Sequence, residues 1–155
     1  MVCARRLAGK LLLLDEPSAG VDPFARRQML RGIAHEVRDG NRRTVVFATH
    51  VMEEARRIAD YLTFIVDGEF LGLYEKDALL EGWKTFWVDR EPDGDIPGVI
   101  EVVEGGSPTR LISDSPKETE EALAAENMRI VRSGTVDLGE ILSHLMRRRT
   151  EGLRA

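Results

Sequence analysis

Four consecutive leucines, residues 11–14, run directly into the adjacent carboxylates Asp15 and Glu16, which a proline follows. A continuous apolar run of this kind is typical of a strand that is covered on both faces, as in a parallel sheet. Two carboxylates beside such a strand are expensive to hold unless they meet solvent or serve a purpose. The pattern predicts a buried strand that carries acidic side chains to one edge of a sheet, and it leaves an ordinary solvent-facing strand end as the alternative.

The segments after this strand alternate between helix and strand patterns. Pro23 suits the first turn of a helix with Asp22 as its N-cap, and apolar residues then recur at three- and four-residue spacing to about residue 37. A strand, a second helix and two strands joined by a turn at Asp67 and Gly68 follow. These four segments cover residues 44–50, 51–61, 62–66 and 69–74. This order predicts an α/β fold with a parallel sheet and right-handed crossovers.

The character of the chain changes near Glu81 and Gly82. Three short strand patterns are separated by turn-forming residues, and two helices follow, the second with Asp137 as its N-cap. The three strands are predicted over 84–89, 98–106 and 109–115, and the two helices over 117–127 and 136–149. We therefore predict a division into two parts, with residues 1–82 in the α/β sheet and residues 83–155 in a small α+β appendage.

Charge and composition narrow the function classes. The chain has 22 basic and 27 acidic residues, a net charge of −5, so nothing marks it as a nucleic-acid binder and we expect no nucleic-acid partner. Trp83 and Trp87 are more simply packing residues than a platform for stacked bases. The single cysteine, Cys3, excludes an internal disulfide, and no apolar run approaches the roughly 18 to 20 residues that span a bilayer. A cytoplasmic location is the default expectation.

Acidic and imidazole side chains follow two strands that one crossover helix connects. Because the carboxyl ends of parallel strands meet at the same edge of a sheet, we expect His50 to lie close to Glu16. Nucleotide hydrolysis needs such a set: a carboxylate for Mg²⁺, a second carboxylate that polarises the attacking water, and an imidazole that contacts the γ-phosphate. Asp15, Glu16 and His50 fill these roles in turn. An ordinary exposed histidine at a helix start, and Asp22 as a simple cap, are the alternatives.

Three motifs in this region resemble those of the ATP-binding subunits of ABC transporters. LLLLDEP resembles their Walker B strand and catalytic glutamate, SAGVD their D-loop, and ATH their switch-histidine loop, in the family's order and roughly its spacing. CARRLAG resembles the helix that follows the signature motif, and VMEEARRIADYLTFIVDGEFL continues the match, which covers about residues 3–80. VDLGEILSHLMR resembles the closing helix of a C-terminal extension found in exporter-type subunits.

The resemblance implies a truncated P-loop NTPase parallel sheet with helices on both faces, plus a small C-terminal α+β region. It implies that Asp15 is the metal ligand and that Glu16 and His50 are catalytic. It assigns Ser18 and Asp22 to nucleotide binding, with Asp22 communicating across an ATPase dimer. The implied cofactors are ATP and Mg²⁺, and the implied partners are a transmembrane transporter subunit and a second ATPase subunit. The implied location is cytoplasmic, peripheral to the inner face of the cell membrane through the membrane subunit.

The phosphate-binding loop of that family, GxxxxGK[ST], does not occur in this sequence, and neither does the signature motif or the Q-loop. EGGS at 104–107 lies on the wrong side of the Walker B strand and is predicted to be a turn. In the family, the phosphate-loop strand lies between the strands equivalent to 44–49 and 62–66. We therefore expect the C-terminal portion of an ATPase, completed by a missing N-terminal half in cis or in trans. The alternative is a non-catalytic fragment that acts as an interaction module.

Overall fold

The computed structural model describes residues 3–7, 11–38, 44–103 and 105–152. In these ranges the fold is mixed α/β, as predicted, with nine strands and five helices. The chain divides into two compact units, Met1–Ala59 and Asp60–Ala155. The predicted boundary at residues 82 and 83 separates an ATPase domain from its C-terminal extension in the proposed complete protein. That division stays a prediction.

The first unit contains a three-stranded sheet with order β1-β2-β3. Strands β2 and β3 pair in parallel, with Leu11 opposite Thr44 and Asp15 opposite Ala48. The predicted parallel pair around one connecting helix is therefore present. The elements of this unit are β1 (Cys3–Leu7), β2 (Leu11–Asp15), α1 (Pro23–Arg38), β3 (Thr44–Ala48) and α2 (Met52–Ile58).

Strand β1 corrects the expectation that CARRLAG forms a helix. Cys3–Leu7 is a strand that pairs antiparallel with all five residues of β2. The physical reason lies in the backbone of β2, whose amide and carbonyl groups on the side away from β3 need hydrogen-bond partners. A neighbouring five-residue strand satisfies that whole edge, and this outweighs the helical preference of so short a segment.

The second unit begins with an antiparallel hairpin of β4 (Tyr61–Val66) and β5 (Glu69–Glu75). The hairpin and its turn are as predicted, and Asp67 and Gly68 have the positive φ values, 52° and 79°, that a two-residue turn requires. However, β4 forms this separate two-stranded sheet and does not join β2 and β3. The phosphate-loop motif whose strand the resemblance places between β3 and β4 does not occur in this sequence.

The rest of the second unit is an antiparallel sheet with order β7-β8-β6-β9, together with three helices. Three of these strands and the last two helices match the predicted segments, and Asp137 caps the last helix by accepting the Gly139 N–H at 2.8 Å. The elements are α3 (Lys76–Glu81), β6 (Lys84–Val88), β7 (Val99–Val103), β8 (Thr109–Ser113), α4 (Pro116–Ala125), β9 (Ile130–Thr135) and α5 (Leu138–Gly152).

The main core of this unit lies on the central strands β6 and β8. Phe86, Val88 and Leu111 are completely buried there, and Leu123 of α4 packs against them. Trp83 is buried, and Trp87 is half-buried with the Arg132 guanidinium 3.7 Å from its ring centre. Both tryptophans therefore act as packing residues, as the sequence suggested.

Helix α5 buries His144 together with Leu138 and Ile141. The imidazole lies against Trp83, with ring centres 5.5 Å apart, and its Nε2 is 3.4 Å from Glu101 Oε2. Burial lowers the pKa of His144 below its ordinary value of 6.5, and the positive charge of Arg147 lowers it further, against the opposing carboxylates of Glu101 and Glu140. His144 is thus held neutral inside the fold.

We predict that acid destabilises this unit through His144. Below pH 6.5 the unfolded chain binds the proton more readily than the folded chain, so the free energy of unfolding is largest above that pH and falls as the pH drops towards the lowered pKa. Urea unfolding at about pH 7.5 and about pH 5.5, followed by tryptophan fluorescence, measures the loss. The loss should shrink in His144→Gln and persist in His35→Gln, which removes an exposed histidine of α1. An equal loss in all three proteins would contradict the prediction.

Candidate functional site

The candidate site lies at the carboxyl ends of β2 and β3. Asp15 is the last residue of β2 and its side chain is exposed. The next residue, Glu16, continues the strand pairing, since its N–H donates to the Ala48 carbonyl at 3.0 Å. The parallel register therefore brings the two carboxylates to the level of the segment that follows Ala48.

Glu16 has an unusual backbone conformation. Its φ is 43°, in the left-handed region that residues with side chains rarely adopt. The surrounding hydrogen bonds hold it there, because its N–H is bound to Ala48 and its carbonyl accepts the Ala19 N–H at 3.1 Å. Strain of this kind persists only where the neighbouring structure over-determines a residue, and it is concentrated at functional sites.

Glu16 and His50 make two contacts although 34 positions separate them. The His50 N–H donates to Oε1 at 2.9 Å, and Nδ1 lies 2.8 Å from Oε2. The histidine side chain is 77% exposed and the glutamate side chain 36% exposed, while the Glu16 oxygen that faces Nδ1 is itself shielded from solvent. The predicted proximity of these two residues is confirmed.

The turn after Glu16 leads into α1. Ser18 is buried, with only 1% of its surface exposed, and its carbonyl accepts the Val21 N–H at 3.1 Å. Asp22 is the N-cap of α1, because its Oδ1 accepts the N–H groups of Phe24 and Ala25 at 2.9 and 3.1 Å. The predicted cap is therefore present, and the proposed part of Ser18 and Asp22 in nucleotide binding stays a prediction.

Glu54 was not identified from the sequence as part of the site region. The structure buries this residue to 2% exposure and pairs its Oε1 with Arg26 Nε of α1 at 3.3 Å. The other oxygen, Oε2, accepts the Thr49 hydroxyl at 3.0 Å. A signal was available, because Glu54 lies at the three- and four-residue spacing that places Val51 and Ile58 on one helix face.

Neither a preformed metal cluster nor a membrane span is found in the described ranges. No group of three His, Cys, Asp or Glu side chains gathers there into a ligand set for a metal ion. No helix in the described ranges combines the length and the apolar character needed to cross a bilayer.

Comparison with known proteins finds relatives among ATP-binding cassette proteins, and no protein-family model matches the chain. The chain is 34% identical over 113 residues to the Nod factor export ATP-binding protein I of Sinorhizobium fredii, covering 73% of this chain and 29% of that protein. It is 42% identical over 69 residues to the glucosylceramide transporter ABCA12 of Mus musculus, covering 43% and 3%. It is 45% identical over 60 residues to the retinal-specific phospholipid-transporting ATPase ABCA4 of Mus musculus, covering 39% and 2%.

These relatives are much longer than the chain, which spans less than a third of the longest-matched one and a few per cent of the other two. Three observations point to the same family. They are the motifs LLLLDEP, SAGVD and ATH, the contact between Glu16 and His50, and the matched relatives. The chain is homologous to the ATP-binding proteins of ABC transporters, over part of their length.

Proposed function

We propose that this chain is the C-terminal portion of the ATP-hydrolysing subunit of an ABC transporter, and that the complete subunit powers transport through a membrane partner. The observation that carries the proposal is the contact of Glu16 with His50 at the carboxyl ends of two parallel strands. The homology to ATP-binding proteins supports it independently. It does not favour the alternative, a non-catalytic fragment that acts as an interaction module.

The donor chemistry at the end of β2 suits a magnesium nucleotide. Asp15 presents an exposed carboxylate, and Mg²⁺ prefers a few oxygen ligands of this type, commonly reached through water. We assign Asp15 as the metal ligand. When bound, Mg²⁺-ATP supplies the phosphoanhydride bond to be cleaved and the cation that neutralises its charge.

Glu16 is the proposed general base. Two contacts with His50 fix its carboxylate, so it can accept a proton from a water held against it without first reorienting. His50 directs Nδ1 towards Glu16, which leaves Nε2 as the ring nitrogen on the other side, and Nε2 can donate to a phosphate oxygen when both ring nitrogens carry a proton. Both residues would thus act on the same end of the nucleotide.

The turn between β2 and α1 is the proposed contact with a second ATPase subunit. Asp22 holds the start of α1, and in the proposal it also transmits the state of one nucleotide site to the other. Ser18 is buried, so we propose that it contributes to nucleotide binding through the shape of this turn.

The complete protein is proposed to contain a P-loop NTPase parallel sheet with helices on both faces. In this proposal residues 1–82 are the C-terminal part of the nucleotide-binding domain, and residues 83–155 are a small α+β extension. The missing N-terminal half supplies the phosphate-binding loop in cis or in trans. The other partners are a second ATPase subunit and a transmembrane subunit, which holds the protein at the inner face of the cell membrane.

A chimera tests the proposal. The part of the Sinorhizobium fredii relative that precedes its matched region would be fused to residues 1–155, and phosphate release from Mg²⁺-ATP would be measured for the chimera and for the chain alone. We expect Mg²⁺-dependent hydrolysis by the chimera and none by the chain, because the backbone cradle and lysine for the phosphates are not in this sequence.

Two results would contradict the proposal. One is a folded chimera that binds Mg²⁺-ATP and does not hydrolyse it, which would favour the interaction module. The other is hydrolysis by the 155-residue chain alone that Glu16→Gln abolishes, because it would show that the site is complete without the missing half.

A further inference from the structure

The side chain of Glu54 is almost completely buried, and the residue is 2% exposed. A buried carboxylate charge is expensive unless it is paired and hydrogen-bonded. Here Oε2 accepts the Thr49 hydroxyl at 3.0 Å, whereas Oε1 lies 3.3 Å from Arg26 Nε as an ion-pair contact without hydrogen-bond geometry. The pair joins helix α1 to helix α2.

The Thr49 hydroxyl links Glu54 to the backbone on both sides of His50. While it donates to Glu54, its oxygen accepts the Val51 N–H at 3.0 Å. The residues on both sides of His50 are thereby fixed to each other and to Glu54. The His50 N–H itself donates to Glu16 Oε1 at 2.9 Å. The position of the imidazole is therefore determined from α2 and from the end of β2.

We infer that Arg26, Glu54 and Thr49 form a positioning network that holds His50 against Glu16. Arg26 stands in the first turn of α1, where its backbone N–H donates to the carbonyl of the cap residue Asp22 at 2.9 Å. None of the three side chains contacts the acidic end of β2 directly. Their effect on catalysis rests on the proposed function, whereas their effect on the geometry of His50 does not.

Substitutions at Thr49 distinguish a role in positioning His50 from a role in stabilising the fold. Thr49→Val has nearly the same shape and removes the hydroxyl, so the Glu54 oxygen and the Val51 N–H both lose their partner. Thr49→Ser keeps the hydroxyl and should rescue the network. Glu53→Gln is the matched control for Glu54→Gln, because Glu53 is the adjacent residue and its side chain is 73% exposed.

The test is amide hydrogen exchange of the His50 N–H in the 155-residue chain, measured by NMR. We expect the exchange rate to rise about 3- to 10-fold in Thr49→Val and in Glu54→Gln, the change equivalent to one lost hydrogen bond, and to stay within about 2-fold of the unmodified chain in Thr49→Ser and Glu53→Gln. The amide of Leu30, a buried residue of α1 in the same unit as His50, reports general loosening of that unit and should not change.

Equal exchange rates in Thr49→Val and Thr49→Ser would overturn the inference. So would a rise at His50 that is matched at Leu30, because Glu54 would then stabilise the first unit as a whole without positioning His50. In the chimera, Thr49→Val should lower kcat about tenfold or more with little change in KM. If His50 responds as expected in the chain while the folded chimera is inactive, the positioning network stands and the proposed function fails.

Discussion

Glu16→Gln in the chimera is expected to reduce kcat for ATP hydrolysis at least about 10²-fold, the range for losing a general base, and to leave the KM for Mg²⁺-ATP largely unchanged. The glutamine keeps the shape of the side chain, and its amide oxygen can still accept the His50 N–H that Glu16 Oε1 accepts. It cannot take a proton from water. Steady-state phosphate release against ATP concentration gives both constants.

Glu53→Gln is the control, because it is the same chemical change at an exposed position that contacts Arg56 instead of the candidate site. It should leave both constants unchanged. A Glu16→Gln variant that keeps its kcat and binds Mg²⁺-ATP poorly would assign Glu16 to nucleotide binding and remove it as the base.

Phe86→Ala is expected to lower the free energy of unfolding of the second unit by about 3–5 kcal/mol. Phe86 is completely buried on β6, between β8 and β9, and it belongs to the core that Leu111 and Leu123 share. Truncation removes the ring from that core and leaves a cavity. Urea unfolding followed by the fluorescence of Trp83 and Trp87 measures the change.

Phe70→Ala provides the matched comparison, because it makes the same truncation on β5 at a side chain that is 58% exposed. Its effect should be within about 0.5–1 kcal/mol, as is usual for surface substitutions. If the two variants were destabilised equally, β6 would not carry the core of the second unit.

The elements that the sequence predicted are those with strong local signals. The leucine run, the Asp22–Pro23 helix start and the Asp67–Gly68 turn each have a physical basis within a few residues. The approach of His50 to Glu16 was also predictable, because the carboxyl ends of consecutive parallel strands meet at one edge of a sheet. The site could thus be assembled from local patterns and one topological rule.

The missed elements depend on partners distant in the chain or on weak patterns. Strand β1 forms because β2 offers an edge for pairing. The sequence pattern of Cys3–Leu7 alone does not predict this pairing. Helix α3 is only six residues long, and Glu75 caps it by accepting the N–H groups of Asp77 and Ala78. Strand β9 is mostly exposed and polar in its centre, so it shows no clear alternation.

The burial of Glu54 shows the same limit at the level of a single side chain. A glutamate beside another glutamate predicts an exposed position, and the Thr49 hydroxyl together with the guanidinium of Arg26 on a different helix makes its burial tolerable. Such pairings are set when helices pack. The spacing of Glu54 from Val51 and Ile58 indicates the buried face of α2, but neither helix pattern alone identifies the partner.

The left-handed backbone of Glu16 sets the stability of the fold against the proposed catalytic role of this residue. Glycine adopts that conformation freely, whereas a residue with a side chain loses roughly 1–2 kcal/mol there. A laboratory selection for thermal tolerance alone would therefore favour replacing the carboxylate at this position. Thermally stabilised variants would therefore need to be assayed for ATP hydrolysis in the chimera as well, because the substitution that relieves this strain removes the proposed base.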